Sequence, residues 1–287
     1  MVRPGVVPDL VPLRNRPAQC LLASLDRASE DEEGRARAVL GKQVKERRRN
    51  GSGPVVERER ELQSSQYARV PVWPRTREEL IEEQEWLATL DPAPWLVEPG
   101  ARIGGVFVCF ARGKSGPGQA GDKAWAAANL GRETVVVEGR AGAPYEPGLL
   151  ALREGALLEA AVRALSQRPD VLLVDATGRD HPRRAGLALQ LGAVLDLPTV
   201  GVTHRPLTAE GDWPPNERGA RSPLVLDGEL VGHWLRTRPG TRPLAVHAAW
   251  RTGPDVAAEV VLATSRARTP EPLRRARRRA REARSDS

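Results

Sequence analysis

Apolar residues in the middle of this chain recur with two periods, and the change between them falls near Pro147. Upstream, residues 103–110, 123–130 and 133–140 are short runs rich in Val, Ala and aromatic residues, separated by glycine-bearing connections. Runs of that length and composition predict strands, and the glycine-rich span 113–121 suits a hairpin loop. Three consecutive strands joined by loops predict an antiparallel meander. Downstream, Leu150, Leu157, Leu158, Ala161 and Leu165 share one helical face, which predicts a helix over 149–165. Residues 170–175 form an apolar run ending in an acid, 183–195 returns to helical spacing, and 199–202 is again a short apolar run. Strands alternating with helices predict a parallel half, because parallel pairing needs crossovers. Before the meander, Leu80, Ile81, Trp86, Leu87 and Leu90 predict a helix over 77–90. After the alternation, 229–236 and 244–248 read as late strands and 255–267 as a closing helix. The pattern describes an α/β fold with a mixed sheet.

Both ends of the chain read differently. Residues 1 to about 70 carry Pro, Arg, Glu and Ser with little periodicity. Such a segment buries too little apolar surface to offset its ordering entropy, which predicts a mostly disordered leader over 1–74. Within it, 30–48 has the composition of a charged helix without an apolar face. The ordered domain is expected over 75–270, with a basic tail over 271–287. The formal net charge is +7, and residues 266–284 alone hold nine Arg and two Glu, so the rest of the chain sums to neutral. A basic segment of this kind attracts polyanions without reading sequence, or it is the solvated end of a helix. Cys20 lies in the leader and Cys109 in an apolar run, an arrangement that suggests no disulfide and suits a reducing, cytoplasmic setting. No apolar stretch is long enough to span a bilayer, and residues 1–19 lack the apolar core of an export signal.

The candidate chemistry sits in five short pieces. Pro144-Tyr145-Glu146-Pro147-Gly148-Leu149 is followed by Arg153-Glu154, then by Val174-Asp175-Ala176-Thr177-Gly178, by Asp180-His181-Pro182-Arg183-Arg184, and by Leu197-Pro198-Thr199-Val200-Gly201-Val202. Each is weak alone, but five in fixed order over about sixty residues are a specific signal. Together they resemble the core of the endonuclease V family, nucleases that nick near deaminated adenine, over roughly residues 75–270. The resemblance implies a ribonuclease H-like α/β fold whose metal-binding acids are Glu154 and Asp175. In that family Mg2+, with Mn2+ as a second candidate, activates water and stabilises the leaving oxygen. It also implies a rigid wedge formed by Pro144, Tyr145 and Pro147, with the tyrosine ring stacking in an opened base step. Arg153, Gly178 and Arg183 fall where the family contacts nucleic acid. His181 falls near the catalytic centre, and His204 takes the place of the family's lysine. The implied partner is DNA or RNA carrying a damaged or deaminated base.

Several positions depart from the family pattern, and they cluster on the chemistry. Where the family reads Gly-x-Asp-x-small-aromatic, this chain reads Gly105-Val106-Phe107-Val108-Cys109-Phe110, so Phe107 stands in place of the first-strand carboxylate. A phenyl ring cannot ligate Mg2+. Cys109 reads as a small core residue, and Asp122 lies at the far hairpin tip. The family's Asp-Gly-His-Gly becomes Asp175-Ala176-Thr177-Gly178. Its late Gly-His becomes Ala249-Trp250, with His247 three residues out of register. A weakened metal site follows. Three readings stand: a nuclease cutting 3′ of a deaminated purine, a relative that binds nucleic acid without cutting it, and a pocket remodelled for another substrate such as a small metabolite.

Overall fold

The first element of the fold, α1 (Arg77–Thr89), starts where Thr76 and Glu79 form a reciprocal capping box, each side chain accepting from the other's backbone N–H. The meander follows as β1 (Ile103–Phe110), β2 (Lys123–Leu130) and β3 (Glu133–Arg140). The alternating half is α2 (Leu150–Arg163), β4 (Val171–Val174), α3 (Leu187–Leu195) and β5 (Thr199–Thr203). The chain closes with β6 (Arg221–Leu226), β7 (Glu229–Leu235), β8 (Leu244–Ala248), α4 (Pro254–Thr264) and α5 (Glu271–Ser285). The computed structural model describes residues 69–111 and 118–286. The expectations for the leader up to residue 68, for the charged segment 30–48, for Cys20 and for most of the glycine-rich loop lie outside these residues.

The strands form one open sheet in the order β3-β2-β1-β4-β5-β8-β7-β6. The meander pairs antiparallel, and β4 runs parallel to both β1 and β5, as the change of period predicts. Register sets Val106 beside Val174, so Phe107 and Asp175 are neighbours where β1 and β4 run toward their carboxyl ends. The sheet's faces are covered separately. Over the meander, α2 lies on the face to which Phe110 and Gly139 belong, while α5 covers Cys109, Trp125 and Ala127. Val171, Leu173, Val200, Val202 and Val246 pack with Ala257, Val260 and Val261 of α4 and with Leu273 of α5. Among the described residues no helix is long and apolar enough to cross a membrane.

The structure corrects three expectations. Residues 271–285 are not a tail outside the domain: they form α5, whose Leu273, Ala276 and Ala280 are buried on the sheet. Spacings of three and four put these small residues on one seam, which lets the helix approach closely. Gly105 accommodates that approach, since a Cβ there would stand 2.6 Å from the Leu273 amide nitrogen. The ordered unit also begins earlier than residue 75. From Arg69 onward the chain forms one compact unit, with Arg69 paired to Glu83, and the Trp73 indole N–H donating to Glu159 and lying on Gly155. Finally, α3 begins at Leu187 instead of 183. His181 Nδ1 accepts the Arg183 N–H, and Arg184 adopts φ 57°, so the preceding segment is a turn.

Candidate nucleic-acid interface

A cleft of about 150 Å³ opens where β4 and β5 end, the usual place for a ligand on parallel strands. Tyr145, Pro147 and Gly148 form one wall, Asp175 to Thr177 the floor, and His181, Thr203 and Leu207 the other side. Tyr145 stands at the rim with 49 % of its surface exposed, as a stacking residue must. Its loop is held from several directions. Gly148 adopts φ 79°, which a glycine accepts without strain, and its carbonyl receives donors from Gln84, His181 and Arg183 at 3.0–3.1 Å. The Tyr145 N–H donates to the Gly118 carbonyl, and Glu146 is paired with Arg77 on α1. The wedge is therefore rigid because of tertiary hydrogen bonds as well as its two prolines.

Several residues assigned to chemistry by the sequence turn out to hold this scaffold. Arg153 is 4 % exposed and cannot reach nucleic acid. Its guanidinium pairs with Asp122 at 3.1 Å, donates to the Gln119 and Ala143 carbonyls, and lies 4.0 Å over the Phe110 ring. Asp122, expected at a remote hairpin tip, is thus the buried partner that fixes Arg153 beneath the wedge loop. His181 is 2 % exposed, and both ring nitrogens are used. Nδ1 accepts from Arg183, which assigns the proton to Nε2 and makes that nitrogen the donor to Gly148. Burial pushes its pKa down to about 4, so it is neutral near pH 7, and both its nitrogens are engaged in holding the loop. Gly178 is buried as well, with a Cβ there falling 2.1 Å from the Ala248 carbonyl. It lets β4's loop pass the end of β8. Arg183 is half-buried with its guanidinium bonded to Gln84 and Gly148.

A second buried polar assembly, which no motif signals, lies behind the cleft. Asp180, fully buried, accepts from the Leu207, Thr208 and Ala209 amides at 2.7–2.8 Å and fixes the β5–β6 connection. His247 lies 3.5 Å from Asp180 and bonds Thr203 Oγ1 at 2.8 Å through Nε2. Burial lowers its pKa to about 4, so near neutral pH this is a polar contact and not an ion pair.

The corner next to the cleft, where the resemblance implies a metal, is built differently. Asp175 is ion-paired with Arg277 of α5 at 3.0 Å. The same guanidinium lies 5.2 Å from the centre of the Phe107 ring, with that of Arg281 at 5.7 Å. Arg268 donates to His204 Nδ1 at 2.9 Å. Burial, then Arg268 and Arg277, push the His204 pKa down, against Asp175, so these charges share one neighbourhood and His204 is uncharged near pH 7. Glu154 makes no hydrogen bond or ion pair among the described residues. Burial raises its pKa to about 7, opposed by Arg153 and reinforced by Asp175. Trp250 is not at this corner: it is buried against Gly192 of α3. Among the described residues no three His, Cys, Asp or Glu side chains are grouped to hold a metal ion. Mg2+ needs several hard oxygen ligands, and here Asp175 is committed to an arginine and a phenyl ring stands where the resemblance implies a third carboxylate. The residues present do not fit the metal.

A family model described as Endonuclease V matches residues 97–278. This chain belongs to the endonuclease V family. The match runs well into α5 and includes Arg277, so the basic helix is part of the family domain. Endonuclease V of Streptomyces coelicolor is 40 % identical over 217 residues, 71 % of this chain and 89 % of that protein. The crystal structure of endonuclease V from Streptomyces avermitilis superposes with a TM-score of 0.64 at 33 % identity, covering 76 % of this chain and 97 % of that one. A Ciona intestinalis endonuclease V, solved in complex with DNA containing an inosine, shares the fold at a TM-score of 0.60 and 19 % identity, over 73 % and 98 % of the two chains. The ribonuclease H-like mixed sheet is therefore the family's own fold.

Proposed function

We propose that this endonuclease V-family protein is a cytoplasmic reader of deaminated purine in DNA or RNA, which seats the base in the cleft behind Tyr145 and cuts the strand weakly or not at all. The observation that carries this reading is the position of Asp175, which lines the cleft on one side and is held by Arg277 on the other. The cleft keeps the Tyr145 loop beside an open pocket. The corner beside it has exchanged a cation-binding carboxylate set for a guanidinium on a phenyl ring. The Ciona protein of the same fold holds inosine-containing DNA, which supports the choice of ligand.

Recognition follows from the parts. A base inside a duplex must leave the stack to be read, at a cost of a few kcal/mol that is smallest for a mismatched or damaged base. Tyr145 replaces the lost neighbour by stacking, which is worth about 1–3 kcal/mol. The wedge pays little entropy on binding, because Gly148, Gln84, His181 and Arg183 already fix it.

The test is an affinity series on otherwise identical oligonucleotides carrying inosine or adenine, with Tyr145→Ala beside the unmodified protein. We expect tighter binding to inosine and a loss of about tenfold or more for the variant. Equal affinity for the two bases, or a Tyr145→Ala variant as tight as the parent, overturns the assignment of the cleft. Selective uptake of a small metabolite in place of oligonucleotide would favour the remodelled-pocket reading.

A further inference from the structure

The basic helix α5 does two separable things. Its outer arginines, including Arg274, Arg278 and Arg279, are exposed and line an open groove along the helix. Arg277, half-buried, and Arg281, exposed, line the same groove but also reach inward to the sheet. Arg277 and Arg281 are four residues apart, flanking the Ala276–Ala280 seam, and both lie over the Phe107 ring. Arg284 reaches the Phe110 carbonyl at 3.4 Å. The close approach of α5 at Gly105 positions this row against β1 and the end of β4.

We infer that Arg277 stands in for the divalent cation: its guanidinium, seated on Phe107 and anchored by Asp175, binds a phosphate of the strand held in the cleft, so that nucleic-acid binding requires no metal. The inference rests on the nucleic-acid reading proposed above and goes beyond it. Three observations support it. A guanidinium presents five N–H donors in a fixed fork. One goes to Asp175 through Nη2, and the Arg277 side chain is still 18 % exposed along the open groove of the helix. The local balance is positive: Arg277 pairs with Asp175, Arg281 lies on the same phenyl ring and Arg268 acts with Arg277 on His204, against the two acids Asp175 and Glu154. An excess of fixed positive charge repels Mg2+ and attracts phosphate. Asp175 also joins the two sites, so a phosphate attached to a base in the cleft lies within the reach of α5. The phenyl ring then has a role of its own: it is the platform on which a guanidinium rests, where a carboxylate would have served a metal.

The experiment measures binding of inosine-containing and adenine-containing oligonucleotides in EDTA and in Mg2+ at matched ionic strength, together with Mn2+ titration followed by electron paramagnetic resonance. The unmodified protein is expected to bind within twofold of the same affinity in both buffers and to leave Mn2+ free. Arg277→Gln is expected to lose tenfold or more, Arg277→Lys less, and the exposed control Arg278→Gln no more than two- to threefold, with thermal unfolding confirming that each variant is folded. A loss of binding on chelation, Mn2+ bound by the unmodified protein, or Arg277→Gln no weaker than Arg278→Gln overturns the inference while leaving the cleft assignment standing. Equal affinity for inosine and adenine removes the cleft assignment and leaves the Arg277 comparison intact. A protein that binds no oligonucleotide overturns both.

Discussion

The cleft behind Tyr145 and the corner at Phe107 lie side by side, share Asp175, and have been treated differently by this sequence. In the cleft Tyr145, Pro147, Gly148 and His181 keep the family's residue types while Ala176 and Thr177 on the floor depart from them, and the polar groups of the wall are answered internally: Gly148 by three donors, His181 at both nitrogens, Glu146 by Arg77. In the corner the residue types have changed and the charges have been inverted, with Arg277 where a carboxylate cluster would attract a cation. Under the proposed function the binding surface and the reaction centre, which share Asp175, are therefore separable. The first depends on a stiff scaffold and the second on the sign of local charge.

The largest effect expected from a single change is on the scaffold of the cleft. Arg153→Ala removes the guanidinium from buried Asp122, which keeps the Gln119 N–H, and should cost about 3 kcal/mol of stability in denaturant titration. If Arg153 were a nucleic-acid contact instead, stability would hold and affinity alone would fall.

The corner offers a pH test. The folded state raises the Glu154 pKa from 4.5 to about 7, so between those values the folded protein holds a proton that the unfolded chain has released. Stability is full below about 4.5 and falls as pH rises through 7, by at most about 3 kcal/mol. Glu154→Gln should level that slope. A protein whose stability rises across this window would show that Glu154 is stabilised as a carboxylate, the condition a metal site needs.

A smaller change separates the two regions by position. Gly105→Ala places a methyl group against the backbone at Leu273 and should cost about 1–3 kcal/mol through displacement of α5. Binding should weaken as Arg277 moves, while the environment of Tyr145, followed by its fluorescence, stays unchanged. The smallest effects belong to the outer arginines. Arg279→Gln should lower the slope of log affinity against log salt by at most about one and leave inosine preference untouched. A lost preference would mean that the outer face reads the base.

Much of the fold was legible because burial in strands and helices leaves a period. The meander, the parallel β1–β4–β5 centre and α2 follow from such periods. The helix α5 did not show itself, since arginine outnumbers every other residue in it. Its signal is the spacing of Leu273, Ala276 and Ala280, a seam too narrow and too small in side-chain volume to dominate the composition. The strand β6 was missed because Arg221 and Pro223 break the apolar alternation. Motifs singled out Asp175 and Tyr145, which the structure places on one cleft, but said nothing of partners. Whether a conserved-looking arginine or histidine faces substrate or clasps a loop depends on contacts distant in sequence, such as Arg153 with Asp122 or Arg277 with Asp175. His181 and Arg153 were assigned to chemistry for that reason, and both hold the wedge.

The central claim is that the corner lacks a functional metal site while the cleft still binds. Single-turnover nicking of an inosine-containing strand, with Mg2+ or Mn2+ and with the protein in excess, tests it most directly when Phe107→Asp/Arg277→Gln is run beside the unmodified protein. The account predicts a strand that is bound but left uncut by the unmodified protein, and cleavage that appears or rises at least tenfold in the double variant. Rapid metal-dependent cutting by the unmodified protein would contradict it.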